Sequence, residues 1–215
     1  MGGRLQKFAD AWEEMGASSF VVNVLREGYK VQFHTPPPLT ESIELAPESS
    51  SNDPVKDALI QSHIQELLDK KALEIVTQPD SKGFYSRLFM VPKQGTNKWR
   101  PIIDLKLLNW FVTIPRFKME TILTIWKSLV PGNYCFSVDL TDAYLHVPVH
   151  IASRRYLRVV REGIVYQFRA LPFGLSTAPW IFTQIVQEVK KMLHIQSIII
   201  HIYLDDWLVL VTPLF

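Results

Sequence analysis

Three aspartates in two short segments carry the clearest chemical signal in this sequence. Asp139 ends the run Phe136-Ser137-Val138, and Asp205-Asp206 separates two strongly apolar segments. Adjacent carboxylates repel each other unless a cation lies between them and a third partner. Mg²⁺ suits that position because it takes hard oxygen ligands and bridges carboxylates to substrate phosphates. Two such ions about 4 Å apart support an in-line displacement, provided that the strand ending at Asp139 lies beside the second segment.

The same aspartates also have a purely structural interpretation. Aspartate is common in turns, so Asp205-Asp206 alone is compatible with an ordinary hairpin turn, and Asp139 with a strand end followed by a cap. The six histidines show none of the paired Cys/His spacing of zinc sites. His201 alternates with isoleucines, and we expect it to be a strand residue that faces a polar neighbour. Ser137 and Ser176 have no partnered base, so no nucleophilic triad is predicted.

Positive charge is concentrated upstream of the aspartate pair. Residues 82–118 contain eight basic residues and one acid, Asp104, although the whole chain has a net charge of only +2. Such a segment is the electrostatic footprint expected for a polyanion, either nucleic acid or a triphosphate, and a solvated lysine face is the alternative. A second basic group is compatible either with contacts to a template backbone or with a solvated strand face: Arg154, Arg155, Arg158 and Arg161.

The elements that must position these residues begin with a helix. It is predicted to start at Asn52 or Asp53, with Pro54 at its first helical position, and to end near Lys70-Lys71. One face of this helix is apolar, at Ile60, Ile64, Leu67 and Leu68. Residues 1–35 show no clear periodicity, and the following stretch to Asn52 is rich in Pro, Ser and Glu, which is typical of a loop or linker.

Beyond residue 82 the pattern predicts mostly strands. They fall at residues 86–92, 98–104, 135–139, 156–160, 165–169, 198–203 and 207–211. The last two are joined by Leu204-Asp205-Asp206, which predicts a hairpin with its acids at the tip. Two more helices are predicted, at residues 119–129 and after a cap at Ser176 or Thr177. Because hairpins dominate over helices that are interleaved with them, the predicted fold class is α+β.

Composition restricts the compartment in which the chain is expected. It is 47% hydrophobic and 20% charged, and its single cysteine, Cys135, rules out an internal disulfide framework. The most apolar stretch, residues 195–212, holds Asp205 and Asp206 at its middle, and two adjacent carboxylates are too costly in lipid for a membrane span. The N-terminus lacks the apolar block of a signal peptide. We therefore expect an intracellular protein, cytoplasmic or nuclear and not secreted, with no membrane partner.

Five blocks of the sequence resemble reverse transcriptases. They are Val91-Pro92-Lys93, Lys98-Trp99-Arg100-Pro101-Ile102-Ile103-Asp104-Leu105-Lys106-Leu107-Leu108-Asn109, Phe136-Ser137-Val138-Asp139-Leu140-Thr141-Asp142-Ala143-Tyr144, Leu171-Pro172-Phe173-Gly174-Leu175 with Ala178-Pro179, and Tyr203-Leu204-Asp205-Asp206. They occur in the order and at the spacings of that family. The Leu-Asp-Asp-Trp sequence after the tyrosine, together with Trp12, Gly28-Tyr29 and the Pro-rich stretch, looks most like DIRS-type retrotransposons.

The resemblance implies a right-hand polymerase architecture with an antiparallel sheet and packed helices. Residues 1–52 would form an N-terminal extension and a Pro/Ser-rich linker. Residues 53–133 would form a fingers-like region, and residues 134–215 a partial palm that carries both aspartate motifs, with the thumb absent.

The resemblance also implies the roles of individual residues. Asp139, Asp205 and Asp206 would be the catalytic carboxylates that hold two Mg²⁺ ions, or Mn²⁺, with help from the backbone carbonyl of Leu140. The residues implied to bind the incoming nucleotide are Lys93, Arg100, Leu140, Ala143, Tyr144, Phe173 and Gly174. Arginine offers a planar fork to phosphate oxygens and lysine a mobile point charge, and for Lys93 and Arg100 the alternative is a surface cation.

Tyr144 bears on which sugar the implied enzyme accepts. It lies five positions after Asp139, where the family places a bulky ring under the sugar 2′ position. A phenol there would clash with a ribose 2′-hydroxyl and so select deoxynucleotides. The alternative is a tyrosine of the hydrophobic core on a buried helix turn.

The implied activity is that of an RNA-directed DNA polymerase. It would synthesise DNA from dNTPs on a primed RNA or DNA template, in a retrotransposon polyprotein that normally also carries ribonuclease H. The alternative is a truncated, non-catalytic, nucleic-acid-binding remnant of a transposon, because the sequence stops at Phe215, before the rest of the palm and the thumb. A metal-dependent phosphohydrolase would use the same acids but would leave the blocks at residues 98–109 and 171–175 unexplained.

Overall fold

Three antiparallel sheets with helices packed around them make up the fold, which is mixed α+β as predicted. The computed structural model describes residues 2–41, 44, 46–77, 82–132 and 134–211, so the last four residues of the predicted palm lie outside the described part. The α-helices of the described residues are α1 (Ala9–Glu14), α2 (Ser19–Glu27), α3 (Pro54–Asp69), α4 (Lys106–Asn109), α5 (Ile122–Ser128), α6 (Ile151–Arg154) and α7 (Ala178–Ile195).

The strands follow the hairpin pattern of the sequence. They are β1 (Leu73–Ile75), β2 (Leu88–Pro92), β3 (Trp99–Ile103), β4 (Tyr134–Asp139), β5 (Arg158–Arg161), β6 (Ile164–Phe168), β7 (Ile199–Tyr203) and β8 (Asp206–Val211). All seven predicted strands are confirmed, with shifts of a few residues at their ends. The short strand β1 was not predicted. It pairs with β6, so the region predicted as fingers-like and the region predicted as palm share the sheet β1-β6-β5.

Helix α3 confirms the first predicted helix. The Asp53 carboxylate accepts a 3.0 Å hydrogen bond from the backbone N–H of Val55, and Pro54 occupies the first turn, where a missing N–H costs nothing. Ile60 and Ile64 are fully buried on its inner face. The helix ends at Asp69 with Lys70 as its C-cap residue, close to the predicted end at Lys70-Lys71.

The N-terminal residues form helices that the sequence did not reveal. Residues 1–35 were interpreted as lacking periodicity, but the structure has a 3₁₀ helix at Arg4–Phe8, followed by α1 and α2. Both α-helices are short. Because isolated helices of this length are only marginally stable in water, their formation depends on tertiary packing. In α2, Ser18 caps the first turn, and four apolar residues on one side are buried: Val21, Val22, Val24 and Leu25.

Gly28 ends α2 at a point where two backbones meet closely. Its φ is +92°, and a Cβ at this position would lie 2.4 Å from the backbone nitrogen of His150. The chain can therefore run directly alongside residues 148–150, where the N–H of Tyr29 donates to the carbonyl of Pro148 at 2.8 Å. Through this contact the N-terminal helices are joined to the core.

Helix α7 lies against the sheet that carries the aspartates. Thr177, one of the two predicted candidates, is its N-cap residue, but the Thr177 side chain makes no capping hydrogen bond. Pro179 lies in the first turn, and the buried face of the helix includes Phe182, Ile185 and Val186. No helix of the described residues is long and apolar enough to cross a bilayer.

Two arginines that were expected at the surface are instead buried. Arg158 and Arg161 in β5 are each only 4% exposed, so neither a template contact nor a solvated strand face describes them. Arg158 lies over the ring of Tyr85 at 5.9 Å from its centroid, and Arg161 pairs with Asp57 in α3. Buried cations require such partners, and these partners come from segments that are distant in sequence.

Candidate active site

The strand pairing between β4 and β8 places two of the three predicted catalytic aspartates side by side. Six residue pairs form this antiparallel ladder, and its last pair is Asp139 opposite Asp206. Directly opposite residues have Cα atoms about 4.5–5.5 Å apart and side chains on the same face of the sheet. The condition set by the sequence, that the strand ending at Asp139 lies beside the hairpin, is therefore met.

The third aspartate lies in the loop of the β7–β8 hairpin. Tyr203 pairs with Asp206, which leaves Leu204 and Asp205 as a two-residue loop, and Leu204 has a φ of +55°. Primed hairpin turns need such a positive φ at their first central residue. The sequence placed both acids at the tip, whereas the structure places Asp206 in the first position of β8 and only Asp205 in the loop.

Two hydrogen bonds attach this loop to its surroundings. The backbone N–H of Leu140 donates to the carbonyl of Asp205 at 3.0 Å, which extends the contact between β4 and the hairpin by one residue. The indole Nε1–H of Trp207 donates to the carbonyl of Leu204, also at 3.0 Å. The position of Asp205 is therefore set from both sides of the loop.

The three carboxylates have no lysine, arginine or histidine partner among the residues that the structure describes. Within the described ranges, none of Asp139, Asp205 and Asp206 has a side-chain hydrogen bond or an ion pair. Oxygen donors left unpaired at neighbouring positions are the ligand type that Mg²⁺ prefers, so the donor set suits a divalent cation. In the part of the chain that the structure describes, however, no three acidic, histidine or cysteine side chains are grouped closely enough to hold one metal ion.

Tyr144 is close enough to Asp205 to feel its charge, and its ring contacts two phenylalanines. It is 6% exposed, with its ring centroid 4.7 Å from that of Phe173 and 5.4 Å from that of Phe182. Burial, followed by the negative charges of Asp205 and Tyr203, raises the pKa of Tyr144 to about 12. Its phenol therefore stays protonated at any pH suitable for the protein. Both interpretations of Tyr144 remain compatible with this geometry, since the ring is in the core and next to Asp205.

Gly174 has a structural reason to be glycine. Its φ is +93°, and a Cβ there would lie 3.1 Å from the backbone oxygen of Ile103 in β3. A side chain would therefore be strained by backbone conformation and crowded by a neighbouring strand. Phe173, just before it, is 52% exposed and projects beside Tyr144.

The predicted phosphate-binding cations lie on the β2–β3 hairpin. Val91 is opposite Arg100, and the N–H of Lys93 donates to the carbonyl of Lys98 at 2.8 Å, so Lys93 and Arg100 belong to the same face of the hairpin. Among the described residues neither has an acidic partner. Arg100 lines a cavity of about 530 Å³ together with Phe173.

The structure does not bring all predicted site residues into one cavity. Asp139, Leu140 and Ala143 line a second cavity of about 560 Å³, which Trp12 of α1 also lines. The contact between Phe173 and Tyr144 is what connects the Arg100 cavity to the region of Asp205.

Asn109, which ends the second quoted block, was not predicted to have a role, although the structure places its side chain against Gly174. Its place in that block was a signal of it in the sequence.

Most of the residues described above fall within a match to a known protein family. Residues 91–213 match the family described as "Reverse transcriptase (RNA-dependent DNA polymerase)". An enzymatic polyprotein of Cassava vein mosaic virus is 27% identical over 150 residues, which are 68% of this chain and 22% of that protein. The Gag-Pol polyprotein of Walleye dermal sarcoma virus is 32% identical over 124 residues, 57% of this chain and 7% of that protein.

A retrotransposon protein shares the longest of the three similarities. The retrovirus-related Pol polyprotein from transposon 297 of Drosophila melanogaster is 26% identical over 204 residues, 88% of this chain and 18% of that protein. The chain thus spans less than a quarter of the length of these relatives. Since the family match covers more than half of its 215 residues, and the paired aspartates lie within that match, this chain belongs to the reverse transcriptase family.

Proposed function

We propose that the chain carries the nucleotidyl-transfer site of an RNA-directed DNA polymerase, which extends a primer with dNTPs on an RNA or DNA template. One observation carries the proposal. Asp139 lies directly opposite Asp206 where the loop with Asp205 begins, and none of the three carboxylates has a partner among the described residues. Acids that serve only to stabilise a turn would be expected to bond to nearby backbone N–H groups instead.

Asp139, Asp205 and Asp206, with the carbonyl of Leu140, would hold two Mg²⁺ ions, or Mn²⁺ in their place. When bound, such ions activate an attacking hydroxyl and neutralise charge on the leaving oxygen. The protein's own contribution is to hold the carboxylate oxygens in place, with no lysine or arginine of the described residues competing with the ions for them. Lys93 and Arg100 would bind the triphosphate, since both lack an acidic partner in the described chain.

The nucleotide sugar and base would lie against the aromatic pair. Tyr144 would exclude a ribose 2′-hydroxyl, because its buried ring is held by Phe182 and is not free to turn away. Phe173 would pack near the base or sugar, with Gly174 and Ala143 allowing the backbone to come close. On this proposal, residues 53–133 act as fingers and residues 134–215 as part of the palm.

We further propose that the source is a DIRS-type retroelement polyprotein that also carries ribonuclease H and acts inside the cell. The support is the tryptophan, Trp207, that directly follows the aspartate pair. Its indole bonds to the aspartate loop, so this residue is part of the local structure of the site.

Primer extension tests the proposed activity. Purified protein is given oligo(dT) on poly(rA) with Mg²⁺, and the wild type is expected to extend the primer while Asp205→Asn is inactive. Asp69→Asn, the same substitution at the end of α3, is the matched control and should extend normally. Absence of extension by a folded wild type would reject the polymerase proposal.

A non-catalytic, nucleic-acid-binding role is the second candidate. It is favoured by one observation, that no three-ligand metal group is formed among the described residues. Binding of an RNA–DNA hybrid measured against salt concentration distinguishes the cases, because phosphate contacts give a steep dependence. Steep salt dependence without primer extension would favour binding alone.

A further inference from the structure

Asn109 makes two hydrogen bonds to one loop, one through the nitrogen and one through the oxygen of its side-chain amide. Its Nδ2 donates to the carbonyl of Gly174 at 2.8 Å, and its Oδ1 accepts from the backbone N–H of Ser176 at 2.9 Å. An amide donates from its nitrogen and accepts at its oxygen, whereas an ionised carboxylate can only accept. These two bonds hold the loop between Pro172 and α7, which is far from α4 in sequence.

The same loop is held from its other side by β3. A Cβ at Gly174 would lie 3.1 Å from the carbonyl oxygen of Ile103, so the backbone of the loop rests against that strand. Residues 103–109 lead from the end of β3 into α4. From α4 the side chain of Asn109 reaches the loop at Gly174. The loop that carries Phe173 is therefore held by the Asn109 side chain and also rests against the strand that carries Arg100.

The position of Phe173 follows from this attachment. Its side chain is half exposed, and its ring centroid lies 4.7 Å from that of Tyr144. Asn109 holds the carbonyl of Gly174, the residue that follows Phe173 in the chain. Release of Gly174 would allow Phe173 to move away from Tyr144 and would widen the space above the tyrosine ring.

We propose that Asn109 is a positioning residue that holds Phe173 against Tyr144 and thereby sets discrimination between deoxyribonucleotides and ribonucleotides. This inference rests on the proposed polymerase function and adds a specificity determinant to it. Asn109 itself does not contact the reacting atoms. It acts through the loop, in which Gly174 and Ser176 are the groups that it holds.

Two variants distinguish the contributions of the Asn109 hydrogen bonds to Gly174 and Ser176. Asn109→Ala removes both, whereas Asn109→Asp keeps an acceptor for the Ser176 N–H and loses the donor to Gly174. Leu107→Ala, at an exposed position of the same helix, is the matched control. The measurements are kcat and KM for dTTP, the preference for dTTP over UTP on a poly(rA) template, and the melting temperature.

Because two hydrogen bonds are lost, we expect Asn109→Ala to raise KM for dTTP and to lower the dTTP preference by roughly tenfold, with kcat changed less than about threefold. Asn109→Asp should show the larger part of this effect, since the Gly174 bond is the one next to Phe173. Leu107→Ala should match the wild type. If Asn109→Ala fails to fold, Asn109→Asp carries the test alone.

Failure of the Asn109 inference and failure of the polymerase proposal would give different results. A lower melting temperature and lower kcat with unchanged nucleotide preference would indicate a merely structural role and would overturn the inference while leaving the polymerase proposal intact. A wild type that does not extend primers would overturn both. Amide hydrogen exchange at Ser176 supplies a readout independent of activity, and it should accelerate in Asn109→Ala and not in Leu107→Ala.

Discussion

Arg161 in β5 and Asp57 in α3 form a bidentate ion pair. The Nη1 and Nη2 atoms of Arg161 donate to the two carboxylate oxygens of Asp57, each at 2.6 Å, and Nη1 also donates to the carbonyl of Ser49. The Arg161 hydrogen bonds, with a further one from the N–H of Ser51, lower the pKa of Asp57 from 3.8 to about 2. A buried guanidinium is thereby neutralised, and the first turns of α3 are joined to the sheet β1-β6-β5.

This pair predicts a pH-dependent part of the stability. Because the pKa of Asp57 is depressed in the folded state, the stabilisation is fully present above the ordinary aspartate value of 3.8 and is lost as the pH falls towards 2. Asp57→Asn should lower the urea midpoint at pH 6, and the difference from the wild type should shrink steadily below pH 4. Asp69→Asn, in the same helix, serves as control. An equal difference at pH 6 and pH 2 would contradict the assignment.

The ring of Tyr144, rather than its hydroxyl, is expected to select the sugar. Tyr144→Phe should keep the preference for deoxynucleotides, whereas Tyr144→Val should reduce it by roughly 10–100-fold, because a clash with a 2′-hydroxyl is removed. Competition between dTTP and UTP during primer extension measures this. Since its pKa is about 12, Tyr144 should add no pH dependence between pH 6 and 9. Loss of discrimination in Tyr144→Phe would show that the phenol oxygen is required.

The indole of Trp207 is expected to hold the aspartate loop. Trp207→Phe removes the 3.0 Å bond to the Leu204 carbonyl and should cost about 1 kcal/mol of stability. Primer extension should fall more steeply than stability does, because the Asp205 position becomes less defined. Trp126→Phe, at an exposed site in α5, is the control and should change neither quantity. Normal extension by Trp207→Phe would mean that Leu140 alone holds the loop.

His201 was predicted to face a polar neighbour, and this is confirmed. Its Nδ1 lies 2.6 Å from a carboxylate oxygen of Glu120, and its Nε2 lies 2.5 Å from the hydroxyl of Ser128. His201→Ala should destabilise the fold by about 1–3 kcal/mol, since it leaves a largely buried glutamate without this partner. Chemical denaturation provides the measurement. His194→Ala, an exposed site near the end of α7, should be near neutral, and equal effects of the two substitutions would contradict the prediction.

Much of the fold followed from local patterns. The alternation of apolar residues predicted every strand except β1, and the capping sequence Asp53-Pro54 located α3. The N-terminal helices were missed because α1 and α2 are too short to show a period and depend on partners such as residues 148–150. The arginines of β5 were misjudged for the same reason, since a charged residue in a strand shows no sign of burial until its partner is known.

The sequence by itself determined the family and the strands that carry the three candidate aspartates. These depend on residue types and short spacings, which neighbours in the chain dictate. The tertiary structure alone decided that Asp139 pairs with Asp206 and not with Asp205, that Tyr144 packs against Phe173, and that Asn109 holds Gly174. Strand register and contacts between distant segments depend on the packing of the whole core, and no local pattern specifies them.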